Sequence, residues 1–347
     1  MQYKSDQTIY GRINYSRVAN RILFHGEATR QLIAKDTGLS MSAVTKHTSW
    51  LKEHQFIEVE RFSVKHAKKP IDKLKLKAGT ITSLVVSLRP DCIIGELIGM
   101  DLRAVYYYKA VLKEVSQSTL LASFQEVVIH ALGSAEDSEI EVSAVGVSVA
   151  GCVDSKDGII FSVRGIPSWK PCQPWEILSG LRGSPRVAVW PRPACKVRGL
   201  CDELKTDHRV AFVECDGEHV SLAAMHDGEI SYGSHGTTSH LLHTTISDRE
   251  EICYCGRQGC FCHHLNTGEI TPELMMSGLT NVIEALPEDY FVVEWSASNM
   301  PMKSFESDDS AVQFKLIDDG EKYHMAGLRA LTAQSALTFR IAKENGD

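Results

Sequence analysis

The sequence predicts an α/β protein in two parts, a small helix-turn-helix unit with a basic hairpin and a larger domain of interleaved strands and helices. Three observations lead there. Residues 1–78 carry 15 Lys or Arg against 7 Asp or Glu, although the whole chain of 347 residues has a formal net charge of −7. A helical pattern punctuated by glycine runs through that basic segment. Beyond it, apolar strand runs alternate with amphipathic stretches, which favours an α/β domain.

Within the basic segment, Ser16 to Phe24 places Val18, Ile22 and Leu23 on one helical face, and Gly26 ends the run. Thr29 is the expected cap of a second helix, Arg30 to Asp36, and Gly38 permits a sharp turn after it. Ser40 then caps a third helix, Met41 to His54, with Val44 and Leu51 two turns apart on one face. Phe56 to Phe62 and Lys73 to Lys77 alternate as strands do, and the tip between them holds Lys65, Lys68 and Lys69. This hairpin is the expected wing. Ala78-Gly79-Thr80 reads as a linker.

Past the linker, Leu84 to Ser87, Cys92 to Leu97 and Val105 to Tyr108 suggest a strand meander, and Ser118 to Leu132 an amphipathic helix. Val142 to Ala150, Val187 to Trp190, Val210 to Val213 and Val220 to Met225 are further strands. Gly327 to Ile341 is a closing helix, and Trp50, Trp169 and Trp175 are expected in cores. The domains predicted are therefore 1–78 and 79–347. The second has two lobes, about 79–190 plus the closing helix and about 191–325.

Hydrophobic residues make up 43% of the chain and charged residues 23%, a globular balance. No apolar run is long enough for a membrane span and the N-terminus does not read as a secretion leader, so a cytoplasmic location is expected. Ten cysteines are present, and three fall within Cys253-Tyr254-Cys255-Gly256-Arg257-Gln258-Gly259-Cys260. Such spacing in a chain without a leader points to metal rather than disulfides. Structural zinc takes four S or N ligands, so a fourth is needed. His243 leads, with His240, His263, His264 and Cys262 as competitors.

The basic unit calls for a polyanion partner. A helix, glycine turn and second helix at this spacing let the third helix enter the major groove of double-stranded DNA. Arg30, Ser40, Ser42, Ala43, Thr45, Lys46 and Ser49 would then meet bases and phosphates, with Lys65, Lys68 and Lys69 reaching the backbone. Proteins that read paired half-sites bind as two-fold oligomers, so a homodimer or tetramer is expected.

At these residues the sequence resembles the ROK family of repressors and sugar kinases. It is most similar to the branch of repressors of glucose and N-acetylglucosamine phosphotransferase uptake. The family motif Cys-x-Cys-Gly-x-x-Gly-Cys stands intact at Cys253 to Cys260. The resemblance implies a winged helix-turn-helix domain followed by a two-lobed actin-like ATPase (ribonuclease-H-like) domain with one structural zinc. It selects His243 as the fourth ligand beside Cys253, Cys255 and Cys260. It also implies a transcriptional regulator, a repressor of carbohydrate uptake or metabolism genes; the alternative is a ROK-type sugar kinase with degenerate motifs.

Departures from the family pattern favour the non-enzyme reading. Where family kinases carry a catalytic Asp, the stretch here is Trp190-Pro191-Arg192-Pro193-Ala194, and a guanidinium cannot act as a base. The first phosphate loop is matched only by Glu96-Leu97-Ile98-Gly99 or Asp101-Leu102-Arg103, and the second by Asp216-Gly217-Glu218-His219. Sugar-binding positions hold Gly165, His240 and Cys262. Two readings of the pocket follow. In one, Gly165, Arg192, His240 and Cys262 line a site for an anionic effector; in the other, a phosphotransferase-system protein is the signal.

Overall fold

A computed structural model describes residues 2–62, 70–178, 185–206, 208–215, 219–233, 236–248, 251–253, 255–268, 270–271, 274, 278–279, 282, 290–295, 313–317 and 319–345. The chain begins with α1 (Gln2–His25), β1 (Glu27–Ala28), α2 (Arg30–Thr37), α3 (Met41–Glu53), β2 (Ile57–Phe62) and β3 (Ile71–Leu76). It continues through β4 (Thr82–Leu88), β5 (Cys92–Ile98), β6 (Ala104–Val111), α4 (Gln117–Asp137), β7 (Val142–Val149), β8 (Val153–Asp154), β9 (Ile159–Ile160) and α5 (Pro174–Leu178). Then come β10 (Arg186–Pro191), α6 (Arg192–Leu204), β11 (Val210–Cys215), β12 (Val220–His226), β13 (Glu229–Ile230) and β14 (Ser239–His240). The last elements described are α7 (Phe261–Thr267), β15 (Tyr290–Trp295), β16 (Gln313–Ile317) and α8 (Glu321–Glu344).

Two compact units result. One comprises Met1–Ala150, Gly158–Val189 and Leu328–Asp347; the other comprises Gly151–Asp157 and Trp190–Gly327.

In the first unit, α1, α2 and α3 pack with a three-stranded sheet of order β1-β3-β2. Local chemistry sets the helix boundaries. The Thr29 hydroxyl accepts from the Leu32 amide at 3.2 Å, and the Ser40 hydroxyl accepts from the Ala43 amide at 3.2 Å, so each helix has an orphan donor satisfied. Gly38 adopts φ 67°, the left-handed conformation that ends α2 at little steric cost. Val18, Ile22, Ile33, Val44, Leu51 and Leu74 are buried together at the centre. Helix α1 starts at Gln2 rather than near Ser16. Its first turns are polar and carry no apolar stripe, so periodicity could not reveal them.

The same unit contains a five-stranded sheet of order β10-β7-β4-β5-β6, in which β4 runs parallel to β7 and antiparallel to β5. Helix α4 opens with a capping box between Ser116 and Thr119, and buries Leu120, Phe124, Val127 and Val128. From Leu328 onward α8 belongs here too. Its Thr332 lies so close to Gly146 on β7 that a Cβ at Gly146 would stand 1.9 Å from the hydroxyl. Arg329 clamps Glu96 of β5 with two hydrogen bonds of 2.7 and 2.9 Å. Glu96, Leu97 and Ile98 thus lie in β5, in line with the strand expected from Cys92 to Leu97. Trp169 is buried, donating its indole N–H to Ile160, whereas Trp175 is exposed on α5, against the expectation of a core position.

The second unit is built on a sheet of order β13-β12-β11-β15-β16, with β14 beside β12. β11, β15 and β16 are parallel; β11 and β12 form an antiparallel pair. Helices α6 and α8 meet backbone to backbone. A Cβ at Gly327 would lie 1.8 Å from the Cys195 carbonyl oxygen, and one at Gly199 would lie 2.0 Å from that of Tyr323. Only glycine fits at either position.

Candidate functional site

Three groups of residues carry chemistry, and each grows from its local fold. The first is the cysteine cluster in the second unit. Cys253 opens a tight turn, in which its amide donates to the Arg257 carbonyl and its carbonyl accepts from Gly256. Gly256 takes φ 82° there. Gly259 cannot be larger, because a Cβ would come within 2.3 Å of the Ser247 carbonyl oxygen. Cys260 follows as the N-cap of α7. His243 is steadied by Arg257, whose guanidinium donates to the His243 carbonyl at 2.9 Å.

These turns bring the donor atoms of His243, Cys253, Cys255 and Cys260 to within 4.8 Å of one another. His243 Nδ1 lies 3.9 Å from the sulfur of Cys253 and 3.9 Å from that of Cys260. A tetrahedral zinc, with bonds of about 2.0–2.3 Å, sets its ligands roughly 3.5–3.8 Å apart. The donors therefore need to close by about an ångström at most, and the four residues can hold a metal ion. Burial pushes the Cys260 thiol up to about 11, while the Cys255 amide holds Cys253 below the usual thiol range. A cation answers both effects, because it stabilises the thiolates directly. Of the competitors, His264 pairs with Ser247 through Nε2 at 2.8 Å, and the Cys262 sulfur accepts from Asn266 at 3.5 Å. The side chain of His240 lies outside the described residues.

The second group is helix α3. Ser42, Thr45, Lys46 and Ser49 are exposed and Ala43 is half-buried, while Val44, His47, Thr48 and Leu51 face the core. Arg30 donates to the Thr48 hydroxyl at 3.1 Å and to Asp72 at 3.1 Å, which ties α2 to α3 and β3. Lys65, Lys68 and Lys69 lie outside the described residues. Met41, at the first position of α3, is 47% exposed.

Charged residues inside the second unit form the third group. Arg192, the first residue of α6, reaches Glu214 at 3.2 Å and Glu321 at 2.6 Å. One turn on, Lys196 is fully buried, bonded to Glu214 at 2.8 Å and also to Glu294. Glu214 and Glu294 are register partners on β11 and β15, so their carboxylates stand side by side. Glu294 also accepts the Gly320 amide at 3.0 Å. Arg192, read above as an effector contact, already has its guanidinium engaged by two carboxylates. The signal for this cluster was present but unread: a single acid interrupts each of two apolar runs, Val210-Ala211-Phe212-Val213-Glu214 and Phe291-Val292-Val293-Glu294.

Of the remaining positions, Gly165 takes φ 77° in the first unit, and Cys262 is buried in the second. Asp101 bonds the Arg103 amide in the turn between β5 and β6, and Asp216, Gly217 and Glu218 lie outside the described residues. Among the described residues, no helix is long and apolar enough to cross a membrane.

Mixed α/β units of this kind, one closing on a Cys3His cluster, define the class to which the chain compares. It has the fold of the ROK proteins. A ROK family transcriptional regulator, a homologue of the E. coli MLC protein, superposes with a TM-score of 0.67 at 15% identity, covering 96% of this chain and 99% of that one. A ROK family glucokinase from Streptomyces griseus, in complex with glucose and AMPPNP, gives 0.50 at 15% identity over 73% of this chain and 99% of that one. ROK hexokinase from Thermus thermophilus gives 0.51 at 14% identity over 77% and 100%. No protein-family model and no curated protein matches the sequence.

Proposed function

We propose that the protein is a DNA-binding transcriptional regulator of the ROK family, a repressor of carbohydrate uptake or metabolism genes. Residues 1–78 act as a winged helix-turn-helix on double-stranded DNA. Residues 79–347 are an effector and oligomerisation domain with one structural zinc at His243, Cys253, Cys255 and Cys260. The observation that carries this reading is α3, capped at Ser40 and buried along Val44 and Leu51, with Ser42, Thr45, Lys46 and Ser49 left open to a partner. Coverage agrees with it: the regulator superposes on nearly the whole chain, whereas the kinases leave about a quarter unmatched.

The kinase-like domain is read as catalytically dead. Arg192 occupies the place expected of the general base, and a guanidinium held by Glu214 and Glu321 cannot take a substrate proton. Whether the larger domain answers to an anionic small molecule or to a partner protein is the choice that ligand screening settles.

The direct test is titration of full-length protein with genomic duplex fragments at rising salt. Phosphate contacts require affinity to fall by orders of magnitude between roughly 50 and 200 mM salt. Salt-independent binding, or none at low salt, would overturn the reading. An ADP-release assay with hexoses is expected to show no turnover. Metal analysis is expected to give one zinc per chain, lost in Cys255→Ser.

A further inference from the structure

We infer that α3 reads thymine 5-methyl groups, with Met41 and Thr45 as the specificity-determining contacts, so that the DNA partner is an A·T-containing major-groove site. The inference rests on the DNA-binding reading and says what that surface recognises. Met41, Thr45 and Ser49 are four residues apart and form one stripe along the helix. Met41 is the only large apolar side chain among the described residues of α3 that is exposed, at 47%.

Hydrogen-bond donors on the same surface are few. Thr45 donates its hydroxyl to the Met41 carbonyl at 2.8 Å, which leaves the residue its methyl group and an acceptor oxygen to present. The Ser40 and Ser42 hydroxyls are 3.0 Å apart and bonded to each other, and Ser40 also accepts the Ala43 amide. Helix α3 contains no Arg, Asn or Gln. Those are the residues that make bidentate contacts to guanine or adenine. Lys46 supplies a point charge suited to phosphate or guanine.

In a recognition helix the N-terminal residues meet the base edges. Here those residues offer a thioether, the methyl of Ala43 and the methyl of Thr45. The one apolar group in the major groove is the thymine 5-methyl, which cytosine and the purines lack. Exposure, helix position and hydroxyl pairing all lead to the same base.

The experiment selects duplexes from a random library with full-length, metal-loaded protein. The best duplex is then resynthesised with deoxyuridine in place of thymidine at one position at a time. Removing a contacted methyl is expected to weaken binding about fourfold, the worth of one buried carbon group. Met41→Ala and Thr45→Ser should each erase the penalty at their own thymine; both residues are exposed, so the fold is retained. Uracil duplexes that bind as well as thymine duplexes overturn the inference while leaving the DNA-binding reading intact, as does a penalty that survives both substitutions. If the protein selects no sequence at all, the DNA-binding reading fails and this inference fails with it.

Discussion

Helices α3 and α6 use the same kinds of residue to opposite ends. Each presents basic side chains within its first two turns, Lys46 on α3 and Arg192 with Lys196 on α6. On α3 the cation stands in solvent among exposed hydroxyls. On α6 both cations are held by carboxylates of the same unit, and Lys196 has no solvent contact. What differs is not composition but what the rest of the fold brings opposite. A basic residue becomes available to a partner only where no strand end supplies an acid.

The sharpest way to break this comparison is to remove the internal partner. Lys196→Met leaves Glu294 beside Glu214 in the core with only Arg192, on Glu214, to offset the pair, which should cost about 3–5 kcal/mol in urea unfolding. Converting both acids to Gln in the same protein should recover most of that loss, because the uncompensated charge is then gone. Unchanged stability in the single variant would mean that the cluster contributes nothing.

A smaller effect is expected at the cap of α3. Ser40→Ala removes the acceptor for the Ala43 amide and should lower stability by about 1 kcal/mol. DNA affinity should fall with it, since the helix start frays. Lys46→Ala leaves stability nearly untouched, weakens binding evenly across sequences and reduces the slope of log K against log salt by about 1.

The least effect is a dependence on pH. His47 is buried in α3 against the Tyr15 ring, 4.9 Å away, and burial, helped by Lys46, holds its pKa below the usual 6.5. A depressed histidine is neutral in the fold and charged more readily when unfolded. Its contribution is therefore complete above about pH 6.5 and is lost as pH falls below that. Unfolding midpoints should drop between about pH 7.5 and about pH 5, and His47→Gln should flatten that part of the profile.

The same contrast explains which parts of the molecule could be read from sequence. Thr29, Gly38 and Ser40 act on their immediate neighbours, so α2 and α3 were legible, as was the hairpin of β2 and β3. The cysteine cluster was legible because three of its donors lie within eight residues. Lys196 was not, since its partners are 18 and 98 residues away along the chain. The tie from Arg30 was hidden for the same reason, because its acid, Asp72, comes 42 residues later. Helix α1 lacked an apolar stripe in its first turns, and the pairing of Glu96 with Arg329 joins residues 233 positions apart.

That last pairing bears on how the protein is made. The unit that begins with Met1–Ala150 is completed by residues from Leu328 onward, with Thr332 seated on Gly146 and Leu328, Leu331, Leu337 and Ile341 buried. During synthesis strands β4 to β7 are made well before α8, whose Thr332 seats on Gly146. A chain interrupted before Leu328 would carry α1 to α3 on an unfinished scaffold with an open apolar face. Chaperones and proteases would recognise and remove such fragments.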